Sequence, residues 1–108
     1  MVTLSDTFAA LGDATRLGIV QRLLEEGELP AGRLQERSAL SAPAVSRHLK
    51  VLHQAGIVER RIDKQRRLYS VKPEAMQAIG MWSLSYRAFW EGSLDRLELA
   101  LAADEVKQ

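Results

Sequence analysis

The chain has 108 residues, a formal charge of +1 and no cysteine. That length supports one domain with a modest core, and a small domain leaves apolar surface that self-association commonly covers. Without cysteine the chain has no disulfide, no thiolate metal site, no iron–sulfur cluster and no cysteine nucleophile.

The first residues, Met1 to Asp6, carry neither the basic nor the apolar region of a signal peptide. No apolar run approaches the length of a membrane span. A cytoplasmic protein with no membrane partner is expected. Residues 5–11 read as a short helix, with Leu4, Phe8 and Leu11 at steps of four and three and Gly12 as its stop. Asp13 suits the N-cap of a second helix, whose face carries Leu17, Val20, Leu23 and Leu24 before Gly27 ends it. Pro30 fits the first turn of a third, short helix anchored by Leu34, because the missing proline N–H costs nothing there.

Ser41 is a good N-cap for a fourth helix that runs from Ala44 to Ala55 with Pro43 in its first turn. Val45, Leu49 and Leu52 face the core at steps of four and three, and Gly56 is placed to end the helix in a left-handed conformation. Leu34 to Gly56 therefore reads as helix, tight turn, helix. After Gly56 the period changes to two. Residues 57–62 and 66–71 read as strands of a hairpin whose polar tip is Asp63, Lys64 and Gln65.

Pro73 opens the last helix, predicted over 73–103. Its apolar positions are Met76, Ile79, Trp82, Tyr86, Phe89 or Trp90, Leu94, Leu97 and Leu101, with only Gly80 as a weak point. The sum is a mainly α fold with a β-hairpin wing, a winged helix-turn-helix of order α-α-α-α-β-β-α. One domain covers 1–108, and the terminal helices, about 5–11 and 73–103, are expected to form a dimer interface.

Charge is unevenly placed. Residues 47–72 hold eight Lys or Arg against two acids, net +6, while the rest holds seven bases against twelve acids, net −5. A basic segment on an acidic body is a nucleic-acid footprint, although a solvated face of ordinary surface charge gives the same count.

Phe8-Ala9-Ala10-Leu11-Gly12-Asp13-Ala14-Thr15-Arg16-Leu17 resembles the opening of the ArsR/SmtB-like repressors. So do Leu40-Ser41, then Val45-Ser46-Arg47-His48-Leu49-Lys50-Val51-Leu52, then Ala55-Gly56-Ile57-Val58, and Arg66-Arg67-Leu68-Tyr69 resembles their second wing strand. The resemblance covers roughly residues 8–72. It implies a transcriptional repressor that binds a palindromic operator in double-stranded DNA as a homodimer.

Many members release DNA on binding a metal or metalloid through a Cys-x-Cys pair. The matching positions here are Pro30 and Gly32, and the last helix has Glu91, Asp95 and Glu98 but no histidine for the family's second type of site. The resemblance thus implies a member without metal sensing, with no metal or other cofactor. Phe89 to Glu98 is also similar to the last helix of a subgroup whose genes often neighbour an Hsp90-activator-like protein, which names no effector.

Residue by residue, Ala42, Pro43, Ala44, Ser46, Arg47 and Lys50 are expected to meet DNA from the fourth helix, and Arg60, Lys64, Arg66 and Arg67 from the wing. Arg47 suits bidentate pairing with guanine, the alanines suit a thymine methyl, and Lys50 suits a phosphate. Wing arginines, Arg61 among them, suit the sugar-phosphate chain or a narrow minor groove. The dimer interface is expected at Leu4, Phe8, Trp82, Tyr86, Phe89, Trp90, Leu94, Leu97 and Leu101. The aromatic residues among them also fit a ligand pocket. His48 and His53 are five apart and do not share a metal by themselves, and Ser46 and His48 face different ways on one helix. No catalytic group is predicted and the protein is not expected to be an enzyme. Two alternatives stand beside the repressor: a winged-helix interaction module that no longer reads DNA, and a repressor that answers to a small organic effector.

Overall fold

The computed structural model describes residues 1–107, with side chains for 1–104. Its elements in chain order are α1 (Leu4–Leu11), α2 (Ala14–Glu26), β1 (Leu29–Pro30), α3 (Ala31–Glu36), α4 (Ala42–Gln54), β2 (Val58–Asp63), β3 (Arg66–Val71), α5 (Pro73–Leu84) and α6 (Arg87–Lys107). The mainly α fold with a β-hairpin wing is the one the sequence predicts. The chain falls into two compact units, residues 1–78 and 79–108.

In the first unit local chemistry sets each boundary. Thr3 and Asp6 form a capping box on α1, each side chain accepting from the other's backbone N–H. The Asp13 carboxylate accepts from Arg16 N–H at 3.1 Å and starts α2. At the end of α4, Ile57 N–H donates to Leu52 O at 3.0 Å and Gly56 N–H to His53 O at 3.1 Å, with Gly56 at φ 74°. This is the Schellman arrangement, and it needs the left-handed residue that glycine supplies without strain.

The core centres on Leu49, Leu52, Ile57 and Val58, all fully buried, with Val20, Leu23, Leu34 and Val45 around them. Each such side chain contributes about 1.5–3 kcal/mol by leaving water. The core face of α2 is Ile19, Val20 and Leu23, while Leu17 and Leu24 are exposed. In α1 the buried residues are Thr7 and Ala10, and Phe8 stands at the surface. The small residues, not the large ones, give α1 its close approach.

Two features go beyond the sequence reading. Leu29 and Pro30 form a two-residue edge strand, paired antiparallel with Tyr69 and Leu68, so the sheet has the order β1-β3-β2. Proline is tolerated at such an edge because one side of the strand needs no donor. The run 73–103, read as one helix, is two. Ser85 N–H is shared between Met81 O and Trp82 O, Tyr86 N–H turns back to Ser83 O, and the Ser85 hydroxyl donates to Trp82 O at 2.6 Å. A serine hydroxyl that competes for the helix carbonyl loosens the ladder at that point. Steps of three and four in the apolar residues continue through the break, which is why periodicity did not reveal it.

Candidate nucleic-acid interface

The Ser41 hydroxyl accepts from Ala44 N–H at 3.3 Å and fixes the start of α4, with Pro43 in its first turn. Burial of Val45, Leu49 and Leu52 decides how the helix is turned. The opposite side leaves Ala42, Pro43, Ser46, Arg47, Lys50, His53 and Gln54 exposed and Ala44 half-buried. The α4 residues that the sequence reading assigns to DNA therefore lie off the core face, because helix neighbours recur at three and four residues.

The wing is a two-residue turn, Lys64-Gln65, between β2 and β3, with Lys64 at φ 59°. Its register pairs Arg60 with Tyr69, Arg61 with Leu68, Ile62 with Arg67 and Asp63 with Arg66. Side chains alternate along a strand and directly paired residues share a face. Arg60, Ile62, Arg67 and Tyr69 therefore lie on one face, and Arg61, Asp63, Arg66 and Leu68 on the other. The first face closes on α4. Ser46, Arg47, Lys50, His53 and Gln54 line one wall of a cleft of about 390 Å³, and Arg60, Arg67 and Tyr69 line the other.

The second face is internally neutralised. Arg61 grips Glu28 with two hydrogen bonds, at 2.7 and 2.8 Å, and this pairing pushes the Arg61 pKa up from its ordinary value. Arg66 lies 3.6 Å from Asp63. Arg47, Lys50, Arg60, Lys64 and Arg67 make no ion pair among the described residues. Five cations without acids thus lie on α4, on the facing side of the wing and at its tip. The strand period of two already contained this division of the wing arginines. The neutralisation of Arg61 was not legible, because Glu28 lies 33 residues away in sequence. His53 and Tyr69 are cleft residues that sequence reasoning passed over. For His53 the signal was present, since it follows Lys50 by three on the same helix.

His48 is half-buried and its Nδ1 lies 4.0 Å from the Asp13 carboxylate. Backbone donation from Arg16 holds that carboxylate below its ordinary pKa, with the Arg16 charge, Thr15 N–H and His48 adding to the effect. The contact ties α4 to the start of α2, a bracing role. Among the described residues no group of three or more His, Cys, Asp or Glu side chains converges as a metal cage would require. Among them, too, no helix is long and apolar enough to cross a membrane.

In the second unit, Trp82 meets Tyr86 edge-on at 5.5 Å between ring centroids and Phe89 meets Trp90 at 5.9 Å. With Ser83 these four rings line an almost wholly apolar hollow of about 300 Å³. Beyond it, Trp90, Leu94, Leu97 and Leu101 follow one another along α6 at steps of four, three and four, all of them exposed.

Residues 11–61 match a family model described as a helix-turn-helix domain. The HTH-type transcriptional regulator Rv2034 of Mycobacterium tuberculosis is 44% identical over 70 residues, which make up 65% of this chain and 64% of that protein. This chain thus spans just under two thirds of that relative's length. The transcriptional repressor SdpR of Bacillus subtilis is 31% identical over 83 residues, covering 77% of this chain and 91% of SdpR. Among solved structures, an ArsR-like transcriptional regulator from Rhodococcus sp. RHA1 superposes with a TM-score of 0.69 at 26% identity, covering 87% of this chain and 88% of that one.

Proposed function

This chain belongs to the ArsR/SmtB-type family of winged helix-turn-helix transcriptional regulators, DNA-binding proteins rather than enzymes, and from that premise we propose that it is a metal-independent cytoplasmic repressor gripping a palindromic operator as a homodimer. The observation that carries the DNA-binding mode is the cleft between α4 and the wing, lined by the unpaired cations Arg47, Lys50, Arg60 and Arg67, with Lys64 at the wing tip beside it. In this reading the first turns of α4 enter the major groove. Arg47 meets a guanine edge, Ala42, Pro43 and Ala44 pack on base edges, and Ser46 and Lys50 fix the register. Arg60, Lys64 and Arg67 hold the backbone beside the groove. Arg66 is held back by Asp63 and has the smaller share.

The dimer reading rests on α6. An apolar seam at steps of four and three is the spacing at which two helices interlock side chains. Trp82, Tyr86, Phe89, Trp90, Leu94, Leu97 and Leu101, with Leu4 and Phe8 of α1, are the surface it would bury. A two-fold dimer places its two reading helices about 34–36 Å apart, one turn of DNA, which is why the operator is expected to be a palindrome. Metal independence rests on the residues themselves. Pro30 and Gly32 offer no side-chain ligand, and Glu91, Asp95 and Glu98 stand on a helix without histidine. Repression accords with the likeness to SdpR, a transcriptional repressor.

The test is an electrophoretic shift on the DNA upstream of the protein's own gene, run across salt concentrations against a scrambled duplex. Preference for the native duplex, insensitive to stoichiometric zinc, cadmium, copper or arsenite, supports the reading. Equal binding to both duplexes sinks it and favours an interaction module. The aromatic hollow favours a second reading, a repressor released by a small apolar molecule. The chain's two tryptophans, Trp82 and Trp90, both line that hollow, so tryptophan fluorescence titrated with an apolar molecule at constant dimer content reports on it.

A further inference from the structure

A second cleft, of about 260 Å³, lies on the helical side of the first unit, lined by α2, α3 and the turn that leads into α4. Its polar lining is Thr15, Arg22, Arg37 and Ser38. Every one of these side chains can donate a hydrogen bond, and none is an acid. The Ser38 oxygen accepts from Leu40 N–H at 3.0 Å, which leaves its own proton to give.

The floor of the cleft is Arg22, whose side chain is 14% exposed. Its Nε donates to Glu26 at 2.6 Å and its Nη1 to the Arg33 carbonyl at 2.7 Å, but its Nη2 is sealed from solvent with no acceptor among the described residues. A buried guanidinium nitrogen left unpaired is costly, and a negative charge held in the cleft offsets part of that cost through space. The surrounding charges leave a cation in excess. Glu26 is hydrogen-bonded by Arg22 and Glu36 lies 3.4 Å from Arg33, while Arg37 makes no ion pair among the described residues and acts on Glu26 only through space. Gly18, also in the lining, has open space where a side chain would stand.

We propose that Arg22, Arg37, Thr15 and Ser38 form an oxyanion pocket that clamps one phosphate of the DNA backbone at the approach to α4. The placement follows from chain length. Ser38 is four residues from Ala42, at most roughly 14 Å along an extended chain. The major groove that α4 occupies is about 12 Å wide, so the strand at its edge lies within reach. The pocket draws its lining from α2, α3 and the turn before α4 and nothing from the wing, so the phosphate it holds is separate from those proposed for Arg60 and Arg67. This rests on the proposed docking of α4 in the groove.

The experiment compares wild type with R37A, R37K and T15V on operator and scrambled duplexes over a series of salt concentrations. It adds thermal melting in sodium phosphate against sodium chloride at matched ionic strength. R37A is expected to lower the slope of log K against log salt by about 0.9, one phosphate's worth, by the same amount on both duplexes. R37K restores the slope, and T15V weakens binding without altering it. Matching circular dichroism and unchanged melting in chloride exclude misfolding. If R37A leaves the slope unchanged, but phosphate raises the melting point of wild type and not of R37A, the pocket serves a free phosphorylated ligand and the DNA assignment is overturned. If neither responds, there is no pocket. Loss of operator preference in wild type would instead sink the sequence-reading function, and it leaves the slope test standing.

Discussion

Arg66 and Arg67 are adjacent in sequence, equally basic and on opposite faces of β3. Arg67 shares its face with Arg60 across the hairpin, looks into the α4 cleft and has no acid partner among the described residues. Arg66 lies 3.6 Å from Asp63 on the other face. In the proposed docking, replacing Arg67 with alanine removes one phosphate contact, and the salt slope should fall by about 0.9. Between 50 and 200 mM salt, wild type should then lose roughly 3.5-fold more affinity than R67A. The double variant R60A/R67A should lower the slope by about 1.8 if the two cations meet separate phosphates. R66A should leave the slope near the wild-type value, because Arg66 lies with Asp63 on the face of the wing turned away from the α4 cleft. Fluorescence anisotropy on a labelled duplex, at five or more salt concentrations, gives all four slopes. A fall for R66A with none for R67A would show that the outer face of the wing meets DNA, and the facing argument would be wrong.

R47A should cost about 1–3 kcal/mol on the operator and much less on scrambled DNA, and an equal loss on both would make Arg47 a phosphate contact. L97R places an unpaired charge in the proposed α6 seam and should yield monomers or insoluble protein, so a soluble L97R dimer in sedimentation equilibrium would place the interface elsewhere. The Asp13 carboxylate, held low by its bond from Arg16 N–H, adds stability that is complete above the ordinary aspartate pKa and is lost as pH falls through the lowered value. D13N keeps a capping oxygen but should flatten that acid limb in urea melts between about pH 2 and 5. An unchanged acid limb would mean that another carboxylate carries it.

The reading helix was legible because several independent signals agree on it. Ser41 caps, Pro43 fits the first turn, Val45, Leu49 and Leu52 mark the core face, and Gly56 stops the chain. The second wing strand was legible for a similar reason, since its period and the glycine-led change of pattern point the same way. What escaped depended on distant partners or on backbone competition. Leu29 and Pro30 show no alternation, and only pairing with Tyr69 and Leu68 makes them a strand. The break at Ser85 leaves the apolar steps intact. Leu17 and Leu24 look like core residues on a helical wheel, but the neighbours of α2 select Ile19 instead. Of the basic cluster, the position and the alternation of faces were visible, and the pairing of Arg61 with Glu28, 33 residues away, was not.

The short strand β1 has a mechanical consequence. It is hydrogen-bonded to β3 and runs straight into α3, the first helix of the reading motif, without an intervening loop residue. Arg61 fastens β2 to Glu28, the residue before β1. Wing and reading motif therefore move as one piece, like the fixed jaw of a caliper. A signal that frees such a protein from DNA gains little by bending the jaw. In the proposed dimer, the setting left to adjust is the span between two jaws, and that span would belong to the pairing of two chains.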